Sequence, residues 1–408
     1  MIGNYVFLIP SIVEVGGGEF YVANKAQYLN RIGYNVIIIS TRKKKAVIPY
    51  LKQFEKYIWQ ELEYPISATP KRIVRIIEQR LHNIITNENI IFESNMVTLS
   101  PWGEYFAHQF QGLHIAYPLS EGFSVQTPSM KDFFEFKLNQ HLLFGISKKS
   151  IGLLLGTIQD IGNTCLPAVG CTYNQIQDLP LPESIKLEGF DYNILCLGRL
   201  SKSYVKAATK AVSKFADNYF NKRIQYIVVG GDCTNEEKSI LVNMISNNKN
   251  VYGVFTGALS PLPLQLFNIA NVAIASAGCV GICRRRGLLT ISVDANDSKA
   301  IGIFNVTTNN SLYRNDEPKI NIETVLEEVL VQKKYPALET LSEIEPDYSK
   351  HLNIINKQYD KHYYNVFDIN NPIRYNVLKF LYTIFGFRIV KTIMDLYIRF
   401  QKSNAHCL

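Results

Sequence analysis

The chain has 408 residues, of which 47% are hydrophobic and 19% charged, and its net charge is +8. This composition excludes a disordered chain, and the length favours two or more domains with full hydrophobic cores. No uninterrupted apolar run reaches the roughly 18 residues of a membrane-spanning helix, and no signal-peptide pattern opens the chain. The seven cysteines are scattered, so we expect reduced thiols in a cytoplasmic protein. No nucleic-acid partner is expected.

The chain begins with a βαβ unit. Apolar runs at Tyr5–Ile9 and Asn35–Ser40 predict two strands, and the helical spacing over Glu19–Ile32 predicts a helix between them. The loop before this helix ends in three glycines, Gly16, Gly17 and Gly18. Glycines at this position leave room for a phosphate or a sugar against the backbone amides. The alternative is a tight turn that only packs the helix.

A dinucleotide site is another interpretation of this unit. The spacing GxGxxG is absent, and no acidic residue closes the second strand to hold a ribose. The basic run Thr41–Lys45 follows that strand instead. It could serve an NADP site, a solvated loop or a contact with anionic lipid. The sequence therefore weakens the dinucleotide interpretation without excluding it.

Two carboxylates follow predicted strands further along the chain. An amphipathic helix over Arg72–Ile85 leads to short strands at Ile90–Phe92 and His114–Tyr117. Glu93 directly follows the first of these strands, and Glu121 lies shortly after the second. Carboxylates at such strand ends are candidate acids, bases or hydroxyl-binding groups. The alternative is a helix cap or a solvated loop carboxylate.

Residues 175–190 predict a linker, because they carry Pro180 and Pro182 and lack periodicity. We therefore expect a first domain over residues 1–174, a second over residues 191–350 and a C-terminal segment over residues 351–408. In the second domain, strands are predicted at Asn193–Gly198, Ile224–Gly230, Val251–Gly257, Val272–Ala275 and Thr290–Val293, and helices at Val205–Tyr219, Glu236–Ile245, Leu264–Ile269 and Gly278–Gly287. This alternation predicts an α/β fold of two tandem Rossmann-like, doubly wound domains that face a cleft.

Two features of the second domain predict a phosphate site at the carboxyl ends of its strands. Arg199 follows the first strand, with Lys202 and Lys206 close behind, and the fork of arginine donors suits a diphosphate. Three small residues, Ser276, Ala277 and Gly278, separate a later strand from a short helix. They would let a ligand approach the backbone at the helix start. The alternatives are a cation-rich surface loop and a strand-turn-helix unit without a ligand.

Together these landmarks resemble the GT-B glycosyltransferases, and in particular the large retaining group called family four. Over residues 1–335 the motifs stand in that family's order: GGGEF (Gly16–Phe20), GISKKS (Gly145–Ser150), LPAVG (Leu166–Gly170), LGRLS (Leu197–Ser201), VVGG (Val228–Gly231), VFTGALS (Val254–Ser260) and LFNIANVAIAS (Leu266–Ser276). The later stretch Ala300–Gly302 resembles a bacterial polysaccharide subgroup. The family carries two glutamates around the helix after Ser276, where this chain has Arg284–Arg286, and Tyr204 stands where the family has a lysine.

The resemblance implies transfer of a sugar, with retention, from a nucleotide-diphosphate sugar to a saccharide or lipid-linked saccharide acceptor. Such a reaction needs cations and N–H groups where negative charge develops on the leaving diphosphate. No Asp-x-Asp motif occurs, so we expect no essential metal and no other cofactor. A nucleotide-sugar epimerase of the same fold and a non-catalytic partner subunit are the alternatives.

The C-terminal segment concentrates the positive charge. Between Arg374 and Lys402 there are six cations and one anion, Asp395, which gives this stretch a net charge of +5. Over Tyr375–Ser403 these charges share one helical stripe, and apolar residues occupy the rest. This pattern predicts a helix at an anionic membrane surface, and hence a peripheral protein at the inner face of the membrane. The alternative is a helix that packs on the first domain.

Overall fold

The structure, a computed structural model, describes residues 2–12, 15–42, 45–85, 89–119, 127–156, 164–231, 234–357, 361–370, 373–393 and 396. Two main sheets organise it, one in each half of the chain. Among the described residues, no helix combines the length and the apolar character needed to cross a bilayer.

The first sheet has the strand order β2-β1-β3-β4, and all its strands are parallel. Its strands are β1 (Gly3–Ile9), β2 (Tyr34–Ser40), β3 (Ile90–Ser94) and β4 (Leu113–Ala116). The helices of this half are α1 (Gly17–Arg31), α2 (Lys71–His82), α3 (Ser100–Gln109), α4 (Pro128–Asn139) and α5 (Lys148–Leu155). Single parallel bridges at Leu143 and Gly145 extend the sheet beyond β4. Val6 and Phe7 of β1 belong to core clusters on opposite faces of the sheet, as expected of a parallel sheet covered on both sides.

The second sheet has the strand order β12-β11-β10-β6-β7-β8. The strands are β5 (Ile176–Gln177), β6 (Tyr192–Leu197), β7 (Ile224–Val229), β8 (Val251–Gly257), β9 (Leu262–Pro263), β10 (Val272–Ala275), β11 (Thr290–Val293) and β12 (Ala300–Ile303), of which β5 and β9 form a separate pair. The helices are α6 (Ser203–Asn218), α7 (Asn235–Ser246), α8 (Leu264–Ile269), α9 (Gly278–Arg285) and α10 (Ile322–Leu330).

The second sheet is parallel except at one edge. Strand β12 runs antiparallel to β11. The chain reverses directly after β11 through a turn in which the Asp294 amide donates to the Lys299 carbonyl at 2.9 Å. Because no crossover helix separates the two strands, the return is antiparallel.

After α10 the chain returns to the first domain through helices α11 (Ser349–Ile355) and α12 (Ile373–Phe385). Ile354 packs into one core cluster of the first domain, and Val366 and Ile369 pack into the other. The Tyr364 amide donates to the buried Glu104 carboxylate at 2.9 Å. The described residues of this C-terminal part thus pack against the first domain.

A buried polar cluster fixes α1 against β3 and α11. The Lys25 ammonium lies 2.5 Å from the Glu93 carboxylate, and both side chains are almost fully buried. Tyr5 and Tyr21 also donate to this carboxylate. Although burial opposes ionisation, Lys25 and the hydrogen bonds hold the pKa of Glu93 below its ordinary value. His351 of α11 completes the cluster, with Nδ1 3.2 Å from the Lys25 ammonium and Nε2 3.1 Å from the Pro167 carbonyl.

Removing one partner of this ion pair should destabilise the protein strongly. Lys25→Met leaves the Glu93 carboxylate buried without its cation, which is expected to lower the free energy of unfolding by about 3–5 kcal/mol. Arg80→Met is the matched control, because Arg80 pairs with Glu61 at 3.0 Å on the surface and should change stability by less than about 1 kcal/mol. Urea unfolding measures both. Equal losses of unfolding free energy in the two variants would show that the buried ion pair stabilises the protein no more than a surface one.

The stability of the first domain should depend on pH through His351. Burial, and next to it the charge of Lys25, lowers the pKa of His351 from 6.5 to about 3. Below pH 6.5, His351 becomes protonated in the unfolded chain but stays neutral in the folded chain. The free energy of unfolding therefore falls as the pH falls from 6.5 towards 3. The slope for this group is about 1.4 kcal/mol per pH unit.

Urea unfolding of the wild type and of His351→Gln, at pH values from neutral down to about 5, isolates this contribution. In the variant, the dependence of the unfolding free energy on pH should be smaller by the contribution of about one proton. An unchanged slope would show that His351 is not held neutral in the folded state.

Candidate functional site

A cavity of about 470 Å³ lies between the two domains. The start of α1 and the segment around Thr172 line it from the first domain. The carboxyl ends of β6, β7 and β10 and the segments that follow them line it from the second domain. In open parallel sheets this edge is where ligands bind.

Three helices begin at this cavity, and none of them has a side-chain cap. The N-cap residues are Gly16 for α1, Lys202 for α6 and Ala277 for α9, and no side chain among them accepts a capping hydrogen bond. Ser147 and Thr234 form capping boxes at α5 and α7 away from the cavity, but α2, α3 and α10 also start away from it without a side-chain cap, so what sets α1, α6 and α9 apart is where they begin. The positive ends of three helix dipoles therefore lie at one cavity. The Glu19 carboxylate in the first turn of α1 offsets one of them, so the starts of α6 and α9 are the two that suit an anion.

Cations strengthen this preference. Arg199 is half-buried at the end of β6 and lines the cavity, and the exposed Lys202 lies beside it. Burial raises the pKa of the Cys279 thiol to about 11, and the positive charge of Arg199 opposes this rise. Because Cys279 belongs to the first turn of α9, the guanidinium acts close to that helix start. A ligand with two adjacent phosphates would meet both a fork of donors and backbone amides.

The turn between β10 and α9 is held in a strained conformation. Ala277 has φ +56° and ψ −135°, a region that residues with a side chain rarely adopt. The Ala277 amide donates to the Ser311 carbonyl at 2.6 Å, and the Ser276 hydroxyl donates to the Val293 carbonyl at 2.8 Å. Strain that is fixed by bonds on both sides is typical of a functional turn.

Helix α9 also connects the two domains. The Arg285 guanidinium donates to the Thr172 hydroxyl at 3.1 Å and to the Thr172 carbonyl at 2.7 Å. A Cβ atom added at Gly278, at the other end of the helix, would lie 3.1 Å from the Thr172 methyl group. One arginine of the triplet that replaces the family's acidic residues thus bridges the domains. No local sequence pattern indicates this contact.

Seven of the nine residues predicted to bind the donor line the cavity: Gly16, Gly17, Arg199, Lys202, Ser276, Ala277 and Gly278. Gly18 and Lys206 do not line it. A Cβ atom at Gly18 would meet Leu119, and Lys206 is exposed on α6, where Tyr204 occupies the inward position. The remaining wall includes an apolar side that the sequence did not indicate, formed by Val229, Ala258, Leu259 and Leu262.

The structure describes one of the two candidate catalytic carboxylates. Glu93 does not line the cavity and lies in the buried cluster with Lys25. Glu121 lies outside the described residues. In the described ranges, no group of three or more His, Cys, Asp or Glu side chains is placed to hold a metal ion.

No protein-family model matches the chain, and neither does any curated protein. Solved structures do match it. HepE from Anabaena in complex with UDP-glucose has a TM-score of 0.53 and 11% identity, over 92% of this chain and 98% of that one. A glycosyltransferase from Rickettsia africae ESF-5 has a TM-score of 0.52 and 16% identity, over 80% and 87% of the two chains. S. aureus MnaA, solved with UDP, has a TM-score of 0.50 and 13% identity, over 87% and 95%.

These identities establish the fold alone. It is the GT-B architecture, in which two Rossmann-like domains face a cleft. The predicted fold class is therefore confirmed, whereas membership of family four stays a prediction.

The cavity should bind inorganic pyrophosphate through Arg199. Arg199→Ala is expected to weaken binding by about 1.5–3 kcal/mol, the range for hydrogen bonds between charged groups. Lys206→Ala removes an exposed cation from the adjacent helix and should leave the affinity within about twofold, because solvent screens this charge. Calorimetry measures both. Equal losses of pyrophosphate affinity would mean that only the overall charge of the domain, and no contact with Arg199, attracts the anion.

Proposed function

We propose that this protein is a glycosyltransferase that moves a sugar from a nucleotide-diphosphate sugar to a hydroxyl of an acceptor. The observation that carries the proposal is the convergence of three uncapped helix N-termini and Arg199 on one cavity between the domains. The leaving group of such a transfer is a diphosphate, whose charge grows as the bond to the sugar breaks. Fixed dipoles and a guanidinium at that point stabilise the transition state more than the ground state.

In this proposal the diphosphate lies against the starts of α6 and α9, within reach of Arg199. The apolar wall of Leu259 and Leu262 then receives the nucleoside, because it lies at the same cavity. The sugar faces the first domain and the glycine turn at Gly16 and Gly17. UDP is the first nucleotide to test, because two of the similar structures were solved with UDP or a UDP-sugar.

The chain's own residues supply the stabilising charge in this account, so transfer proceeds without a divalent cation or other cofactor. Positive helix ends and Arg199 take the place that a metal ion holds in other sugar transfers. Activity should therefore persist in excess EDTA. Loss of activity that added magnesium restores would refute this part of the proposal.

The acceptor is proposed to be a saccharide, carried on a lipid, in the synthesis of a bacterial surface polysaccharide. The support comes from the sequence resemblance and from the basic, apolar C-terminal segment. Nucleotide sugars are cytoplasmic metabolites, so the enzyme would work in the cytoplasm, at the inner face of the membrane.

The assay must separate transfer from the two alternatives. Purified protein is incubated with UDP- and GDP-sugars, with and without lipid-linked saccharides. Transfer requires both donor and acceptor and releases the nucleoside diphosphate. Isomerised donor in the absence of acceptor would identify an epimerase. Donor binding without turnover under any condition would identify a non-catalytic subunit.

A side chain at Gly278 should block the donor. Gly278→Val places a branched side chain at the start of α9, where the added Cβ already lies 3.1 Å from the Thr172 methyl group. Donor affinity is expected to fall at least about tenfold, because the phosphate loses its close approach to the helix start. Gly281→Val is the matched control, since a Cβ atom there meets nothing within 4 Å. Calorimetry with UDP measures both affinities. Normal binding by the Gly278 variant would show that the phosphate does not lie at the start of α9.

A further inference from the structure

Within the described part of the chain, the C-terminal helices expose an apolar face. Seven of the twenty exposed large apolar side chains in the described part of the chain fall between residues 377 and 396. Six of them define what we call the C-terminal apolar face: Val377, Phe380, Ile384, Phe385, Ile389 and Ile393, each more than half exposed. Steps of three or four residues place Val377, Phe380 and Ile384 along one helical stripe and Ile389 and Ile393 along another, while Phe385 is the last residue of α12.

The opposite side of these helices is attached to the first domain. Leu378, Tyr382 and Val390 are buried and form a small cluster with Tyr64. The Tyr64 ring lies 5.0 Å from the Tyr382 ring. Helix α12 ends at Phe385, Gly386 adopts φ +78°, and residues 387–393 continue as a second helical stretch. Because of this bend, both helical stretches contribute to the cluster with Tyr64, and their exposed apolar residues lie away from it.

The charges around this face are cationic. The Lys379 ammonium donates to the Ser67 carbonyl at 2.9 Å, and the Lys391 ammonium lies 2.5 Å from the Glu63 carboxylate. These two contacts orient the helices on the first domain. Arg388 is exposed, and the stretch from Arg374 to Lys402 carries a net charge of +5. A partner for this face must therefore accept large apolar side chains and also tolerate positive charge beside them.

We propose that the C-terminal apolar face inserts into the interface of a bilayer that contains anionic lipids. Bulky apolar and aromatic side chains on one side of a helix, with cations nearby, fit the boundary between headgroups and acyl chains. The positive charge favours anionic headgroups. It would instead oppose a second copy of this chain, because a two-fold contact would bring two cationic segments together.

The contacts also determine which domain the membrane would hold. Tyr64, Ser67 and Glu63 all belong to the first domain, so a membrane bound to this face would hold that domain directly. A fixed first domain would present its side of the cavity to an acceptor in the membrane plane. This orientation rests on the proposed glycosyltransferase function, whereas the lipid contact itself does not.

The test uses the full chain and vesicles of phosphatidylcholine with or without phosphatidylglycerol. The wild type should co-sediment with the anionic vesicles, and salt should weaken the binding. The triple variant Phe380→Ser/Ile384→Ser/Ile389→Ser should bind at least about tenfold more weakly, since it lacks three apolar side chains that the bilayer would bury. Arg388→Gln should reduce binding to anionic vesicles by about fivefold and leave binding to neutral ones unchanged.

The matched control is Leu187→Ser/Phe220→Ser/Ile344→Ser, which removes three apolar side chains outside the face that are at least as exposed. It should bind vesicles like the wild type. The proposal is overturned if the wild type ignores anionic vesicles, or if the two triple variants behave alike. It is also overturned if sedimentation velocity shows a wild-type dimer that the face variant dissociates.

UDP binding, measured on the same samples, separates this inference from the proposed function. Intact UDP binding with no vesicle binding refutes only the membrane face. Vesicle binding without any nucleotide binding refutes only the function.

Discussion

The direction of parallel strands is the constraint on which the site depends. In a parallel sheet every crossover helix starts near the carboxyl end of a strand, so the positive ends of the helix dipoles collect at one edge. Here two such sheets face each other across a cavity, and helices α1, α6 and α9 all start there without side-chain caps. The charge preference of the cavity thus follows from topology before any side chain is considered.

Much of the second domain could be predicted because its strands are continuous apolar runs between small or polar residues. Val251–Gly257, Val272–Ala275 and Thr290–Val293 are confirmed at both ends. Helix α3 escaped prediction because it is buried on nearly all sides, with Ser100 and Glu104 as well as Trp102 inaccessible, so no apolar stripe marks it. Strand β12 was not predicted, because it follows β11 through a short turn without an intervening helix and so lies outside the strand–helix alternation.

The site could be predicted where it depends on strand ends, and not where it depends on contacts between distant segments. Arg199 and Gly278 follow strands and line the cavity. The bridge from Arg285 to Thr172 joins residues 113 positions apart, and no local pattern records it. Glu93 was expected to follow a strand but lies within β3, where Lys25 of α1 forms a buried ion pair with it. The position of a residue along the chain does not reveal such a partner.

The central claim is that the phosphates of a nucleotide lie at the converging helix starts. A crystal structure of the full chain with UDP tests this most directly. The account predicts both phosphates within hydrogen-bond distance of the Arg199 guanidinium and of backbone amides in the first turn of α9, with the base against Leu259 and Leu262. Density for the phosphates on the outer surface of the second domain, with the cavity between the domains filled only by water, would contradict it.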